Sequence, residues 1–103
     1  MKTLFITLIA IVLVGCETKP AHLTYSGGDG SSYQQAVVIK GAEDEKAGIA
    51  AERAWLEQRY PGFQKGRQSL VHSGGRLYDL IEFTTADGQK KSVYFDITDF
   101  FGK

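Results

Sequence analysis

The chain has 103 residues, with 12 basic and 12 acidic side chains and a formal net charge of zero. This balance excludes the strongly basic surface that nucleic-acid binding requires. A single cysteine excludes an intrachain disulfide. A folded domain must therefore be held together by apolar packing, for which five Tyr, six Phe and one Trp are available.

The start of the chain has the layout of an export signal. Residues 1–3 carry one positive charge, residues 4–14 form an uncharged apolar run, and Gly15 precedes the only cysteine, Cys16. The run is about half as long as the roughly 20 apolar residues that a membrane-spanning helix needs. The pattern predicts a signal peptide over residues 1–15.

The end of this signal, Leu13-Val14-Gly15-Cys16, resembles the lipobox of bacterial lipoproteins. In that family the cysteine sulfur is joined to diacylglycerol, the peptide is cut before the cysteine, and the new amino terminus is often acylated with chains such as palmitate. The resemblance implies lipidation at Cys16, a lipid bilayer as partner, and a place in the cell envelope facing the periplasm. Two or three acyl chains hold a protein much more firmly than one.

The residue after the cysteine bears on sorting between membranes. In lipoproteins of enteric-type bacteria an Asp at this position favours the inner membrane, whereas this chain has Glu17. The resemblance therefore favours the outer membrane in an organism that has two. The alternative interpretation of Cys16 is an unmodified thiol that packs as a small apolar side chain.

Residues 16–34 are rich in Gly, Ser and Thr and centre on Gly27-Gly28-Asp29-Gly30-Ser31-Ser32. Such segments bury little apolar surface, so this one predicts a flexible tether. A loop that binds phosphate or a cation is the alternative, because Gly-rich turns can present several backbone N–H groups to an anion. The stretch lacks the Lys-Ser/Thr ending of a P-loop and the evenly spaced carboxylates of a calcium loop.

The predicted domain, residues 35–103, begins with a strand and a helix. Ala36-Val37-Val38-Ile39 is short, β-branched and bounded by polar residues, which predicts a buried strand. The helix is expected from about Glu43 to Tyr60. Its first residues are acidic, which suits the positive end of the helix dipole, and Pro61-Gly62 ends it.

One face of this helix is expected to pack on a sheet. At 100° per residue the apolar arc contains Gly48, Ile49, Ala51, Trp55, Leu56 and Tyr60. Glu52 and Arg59 interrupt the arc and are expected at its edge, with their charged ends in water. Aromatic residues at helical spacing predict core packing for Trp55 and Tyr60, with an exposed recognition surface as the alternative.

Three further strands are predicted at residues 68–72, 77–84 and 91–97, separated by turns at 73–75 and 86–88. They should form an antiparallel meander. With the first strand and the helix, the predicted fold class is α+β, with one helix packed on a small antiparallel sheet in the order β-α-β-β-β.

The second turn decides the register of the last two strands. A three-residue loop, Ala86-Asp87-Gly88, with Gly88 in the left-handed region pairs Ile81 with Val93, whereas a two-residue loop shifts the pairing by one residue. Burial favours the longer loop, because it gathers on one face Leu77, Ile81, Phe83, Val93, Phe95 and Ile97.

The other face of the sheet supplies the candidate partner-binding residues, which are Tyr78, Leu80, Glu82 and Tyr94. The first hypothesis is a non-catalytic protein-binding module that uses this face or a sheet edge. The alternative is a small ligand-binding domain or enzyme in which Asp79, Asp96 and His72 would meet in a pocket. In the expected register the two aspartates point to opposite faces. No catalytic residue, metal site or cofactor is predicted.

The chain after the tether also looks similar to small uncharacterised bacterial proteins. The shared features are a Gly-Gly-Asp-Gly-Ser-Ser lead at residues 27–32, Ala51-Glu52 and Trp55-Leu56 in the helix, and the ending at residues 94–103. This resemblance implies no particular activity. In that ending Phe100 and Phe101 are expected to dock on the core, the alternative being an exposed apolar contact for a partner.

Overall fold

The structure, a computed structural model, describes residues 22–103, so the predicted signal peptide and Cys16 lie outside the described residues. The described chain contains one helix and five strands. They are β1 (Thr24–Gly27), β2 (Val37–Lys40), α1 (Glu45–Arg59), β3 (Gln64–Ser73), β4 (Arg76–Thr84) and β5 (Lys90–Asp96).

The five strands form one mixed sheet in the order β1-β2-β5-β4-β3. The expected α+β class is confirmed, but a purely antiparallel sheet is wrong because β2 runs parallel to β5. The chain leaves β2 through α1 and returns through the β3–β4–β5 meander. The last strand of the meander is therefore the one that lies beside β2.

β1 was not predicted, because its residues belong to the stretch interpreted as a tether. The strand pairs antiparallel with β2, with Tyr25 opposite Ile39. The Tyr25 hydroxyl donates to the carbonyl of Ala51 on the helix, at 2.7 Å. Further along, Tyr94 N donates to Gly30 O at 2.8 Å. Residues 24–34 thus belong to the folded domain, while the beginning of the expected tether lies outside the described residues.

The predicted register of β4 and β5 is confirmed. Ile81 pairs with Val93, and Thr85 N donates to Gln89 O across the three-residue loop. Gly88 has φ +92°, the left-handed conformation that this loop needs. The apolar side chains of the two strands consequently face α1.

The helix packs across the middle of the sheet. Asp44 caps it by accepting a hydrogen bond from Ala47 N at 2.8 Å. Trp55 meets Phe95 of β5 edge to face, with ring centroids 5.4 Å apart, and Phe95 is fully buried. The core positions expected for Trp55 and Leu56 are confirmed. Ile49, expected in the same arc, is 53% exposed instead.

The C-terminal turn closes the core against the start of the helix. Phe100 is 2% exposed, and an added Cβ at Gly48 would lie 2.2 Å from its ring. Gly102 N donates to the carboxylate of Glu45 at 2.6 Å, which ties the turn to α1. Docking of the terminal phenylalanines is confirmed for Phe100, whereas Phe101 remains 41% exposed.

The contact between Gly48 and Phe100 leads to a prediction. Gly→Ala normally stabilises a helix interior, because Ala has the higher helix propensity. Here Gly48→Ala should lower the free energy of unfolding by about 1–3 kcal/mol, because the new methyl group collides with a buried ring. Urea unfolding followed by Trp55 fluorescence measures the change.

The exposed helix position Ala50 supplies the control for this prediction. Ala50→Gly removes no tertiary contact of this kind and should cost only about 1 kcal/mol, through helix propensity. Adding Phe100→Leu to Gly48→Ala should make the glycine substitution less costly than it is beside the phenylalanine. A stabilised Gly48→Ala variant would contradict the close approach.

Candidate functional site

Two acidic side chains are buried together between α1 and β4. Glu52 of the helix is 2% exposed and Asp79 of β4 is 8% exposed. The expectation that Glu52 reaches water is wrong. Glu52 lies one helical turn after Gly48, where the absence of a side chain lets the ring of Phe100 approach α1, and both positions of the helix are buried.

The carboxyl groups have few partners. Gln68 Nε2 of β3 donates to Asp79 Oδ2 at 3.0 Å, and Glu52 Oε2 has no hydrogen-bond partner among residues 22–103. Burial is the main reason that the pKa of Glu52 is raised to about 10. The hydrogen bond to Asp79 and the negative charge of Asp79 also raise this pKa, whereas the positive charge of Lys65 lowers it. Glu52 is therefore protonated at neutral pH.

Two clefts open beside this pair, and they share the side chains of Ile49 and Gln68. Asp79 lines the larger cleft, of about 180 Å³, together with Glu45, Ile49, Gln68, Leu70, Ile97, Phe100 and Phe101. Glu52 lines the smaller cleft, of about 50 Å³. The large apolar side chains most exposed in the described chain, Ile49, Leu70 and Phe101, all line the larger cleft.

The larger cleft, called the acidic cleft below, lies along an edge of the sheet. β3 is an outermost strand of ten residues and pairs only with β4 within the described chain. Its pairing is irregular between Lys65 and Gln68, where the strand contains a bulge, and is regular from Gln68 to Ser73. A bulge and charged side chains both discourage pairing with another strand. The first part of the β3 edge is thus protected against pairing with another strand, and the part from Gln68 onwards is open.

The candidate residues on the other face are less accessible than expected. Tyr33, from the loop between β1 and β2, packs on Tyr78 and Tyr94 with ring centroids 5.0 and 4.6 Å away. Tyr78 is consequently only 7% exposed. Leu80 and Tyr94 are half-buried, and Glu82 is exposed. The expectation that this face is open is therefore wrong at Tyr78, because the loop between β1 and β2 covers that side chain.

Asp96 lies on this helix-free face, opposite Tyr78, whereas Asp79 lies on the helix side. Arg76 Nε donates to Asp96 Oδ2 at 2.5 Å, and Thr98 Oγ1 donates to Oδ1 at 2.7 Å. Burial acts to raise the pKa of Asp96, but these hydrogen bonds outweigh it and lower the pKa below its usual value. Arg76 thus forms an ion pair with Asp96.

The catalytic alternative required Asp79, Asp96 and His72 to meet in one pocket. Asp79 and Asp96 are on opposite faces, as the predicted register required. His72 is exposed near the end of β3. The structure does not bring the three together. The carboxyl pair that it does form was missed because charged residues on a helix usually reach water; the signal available was the position of Glu52 inside the apolar arc.

Other kinds of site find no support within residues 22–103. No group of three His, Cys, Asp or Glu there is arranged to hold a metal ion. The only helix in this part of the chain is not long and apolar enough to cross a membrane.

Comparisons with protein-family models, curated proteins and solved structures gave no significant match.

The raised pKa of Glu52 leads to a prediction about stability. The folded state holds a proton that the unfolded chain releases near pH 4.5, so the contribution of Glu52 is complete below that pH and is lost as pH rises towards 10. Glu52→Gln cannot titrate and imitates the protonated acid. Above pH 5 the free energy of unfolding of Glu52→Gln should increase relative to that of the parent chain, by at most about 1.4 kcal/mol per pH unit.

Urea unfolding at a series of pH values between 4 and 9 measures this difference. The matched control is Glu57→Gln, an exposed acid on the same helix, whose pH profile should run parallel to that of the parent chain. Parallel profiles for Glu52→Gln as well would show that Glu52 is ionised in the folded protein.

Proposed function

We propose that this chain is a lipid-anchored, non-catalytic protein-binding module of the bacterial cell envelope. The observation that carries the proposal is the open end of β3 beside a cleft rimmed by Ile49, Leu70 and Phe101, which are 41–53% exposed. Exposed apolar side chains grouped around a cleft are typical of surfaces that contact other molecules. An unpaired strand edge can accept a strand from a partner.

The anchor is the second part of the proposal. The lipobox resemblance at Leu13-Val14-Gly15-Cys16 supports lipidation of Cys16, and Glu17 supports outer-membrane sorting where two membranes exist. Attachment confines the domain to a layer beside the bilayer. This raises its effective concentration towards partners in the same envelope, so a modest affinity suffices.

The binding surface is best placed at β3. Main-chain N–H and C=O groups along an edge supply affinity, and neighbouring clefts select side chains. The first candidate surface, formed by Tyr78, Leu80, Glu82 and Tyr94, is a weaker choice because Tyr33 covers Tyr78. Leu80, Glu82 and Tyr94 retain some accessible surface there.

Lipidation is tested by substituting the modified residue. Cys16→Ser should move the protein from the membrane to the soluble fraction or leave it uncleaved, because the acyl chains and the processing step both depend on the sulfur. Intact-mass measurement of the parent protein should show cleavage before residue 16 and added acyl mass. Ser31→Ala, an exposed substitution, is the control and should remain in the membrane. An unmodified thiol in the membrane-bound parent protein would contradict the anchor.

The binding surface is tested by photo-crosslinking in the bacterium that produces the protein. A benzoylphenylalanine at position 70 should give a discrete adduct with one envelope protein, because Leu70 is 48% exposed on the proposed surface. The same residue at position 57, on the outer side of α1, should give none. Equal labelling at the two positions, or none at position 70, would contradict a binding role for β3.

A further inference from the structure

The ionisable side chains that line the acidic cleft are all acidic. Its ionisable side chains are Glu45 and Asp79, with Gln68 beside them, and no Lys, Arg or His lines it. The remaining lining is apolar, from α1, β3 and the C-terminal turn. An occupant that matches this lining has an apolar stem and a cationic tip.

Asp79, the member of the carboxyl pair that lines the acidic cleft, lacks the cation that a buried carboxyl group often has. In the described chain the only ion pair joins Arg76 to Asp96, on the opposite face. Arg53 and Lys65 line the smaller cleft, but neither forms an ion pair with Glu52 or Asp79. Glu52 Oε2 also lacks a hydrogen-bond partner. Glu52 lines the smaller cleft, however, so a cation that enters the acidic cleft would meet Asp79, beside the amide of Gln68.

The size of the cleft restricts its occupant. Its volume of about 180 Å³ is below the roughly 300–1,000 Å³ of pockets that hold drug-sized molecules. A space of this size suits a single side chain. The adjoining strand edge indicates how that side chain would be delivered.

The geometry of β3 connects the edge with the cleft. Gln68 and Leu70 pair with Ile81 and Asp79, so they share the helix side of the sheet with the carboxyl pair. A strand added beyond β3 would lie two strand spacings, roughly 10 Å, from β4. A lysine on its helix side can cover that gap, with its methylenes over Leu70 and its ammonium at Asp79.

We infer that an extended segment of the partner protein pairs with β3 between Gln68 and Ser73 and inserts a lysine side chain into the acidic cleft. This inference rests on the proposed binding function and specifies the chemistry of the partner. The main-chain ladder would hold the segment in register. The lysine would select it, because a neutral side chain of similar length would leave Glu45 and Asp79 in the cleft without a cationic partner.

The experiment uses the full chain in detergent micelles and a fluorescein-labelled peptide, Thr-Val-Thr-Lys-Thr-Val-Thr. Its matched control has norleucine in place of lysine, which keeps the apolar stem and removes the charge. Fluorescence anisotropy should show the norleucine peptide binding about tenfold or more weakly than the lysine peptide. A lysine peptide with N-methyl groups on the edge-facing amides should not bind, because it cannot form the ladder.

Two protein variants locate the binding. Leu70→Lys places a cation at the mouth of the cleft and should weaken the lysine peptide about tenfold, whereas Gln58→Lys, which adds the same charge at an exposed position of α1 outside the cleft, should leave its affinity unchanged. Asp79→Asn should remove the preference for lysine over norleucine. Both lysine substitutions change side chains that are exposed, so they test the site even if Asp79→Asn fails to fold.

The outcomes separate this inference from the proposed function. Equal affinity for the two peptides, or no binding of either, would overturn the lysine-bearing strand, and an adduct at position 70 would still support the binding function. Self-association of the chain through β3, detected by sedimentation and abolished by Leu70→Lys, would also overturn it, because the edge would then receive a second copy. Loss of both the adduct and peptide binding would overturn the two proposals together.

Discussion

The burial of the second half of β5, residues 93–96, is the constraint on which the rest of the structure depends. β5 lies between β2 and β4 in the sheet, α1 covers one of its faces, and Tyr33 from the loop before β2 packs on the other through Tyr94. A strand covered in this way contributes apolar burial from both faces. Such burial matters in a small domain without disulfides, which has little core to spare. The parallel β2–β5 pair and the ordered loop beside it follow from the same requirement.

The carboxyl pair is a consequence of how closely the helix packs. Gly48 lets Phe100 approach α1, and Glu52, on the next turn of the same line of the helix, is buried as well. A buried acid is usually paired or neutral, because an isolated charge loses its hydration. Glu52 is neutral and shares its surroundings with Asp79. A hydrocarbon side chain of similar size would avoid the cost of burying these groups, so stability alone does not account for the arrangement.

The sequence was most informative where structure is local. The turn at Gly88 and the alternation of apolar residues were sufficient for the β4–β5 register, and the helix bounds were predicted to within two residues. β1 was missed because Tyr25 is its only large apolar residue, and pairing with β2 supplies the stability that its composition lacks. The position of Tyr33 and the burial of Glu52 depend on contacts between distant segments. Helical spacing placed Glu52 within the apolar arc, but only the packed structure shows that this position of the helix is buried.

The two ends of β3 differ in a way that bears on how the domain functions. An exposed strand edge is a hazard for any protein, because it can pair with another unfolded or folded chain. The bulge and the charges of Lys65 and Arg67 protect the first part of the strand. Protection ends at Gln68, where the acidic cleft begins and Leu70 is exposed. If the open part were only unprotected, a third charged residue on the strand would be the simple remedy. Under the proposed binding function, an apolar Leu70 beside two carboxyl groups would instead give an edge that discriminates between partners, since it would attract a strand and at the same time require a particular side chain from it.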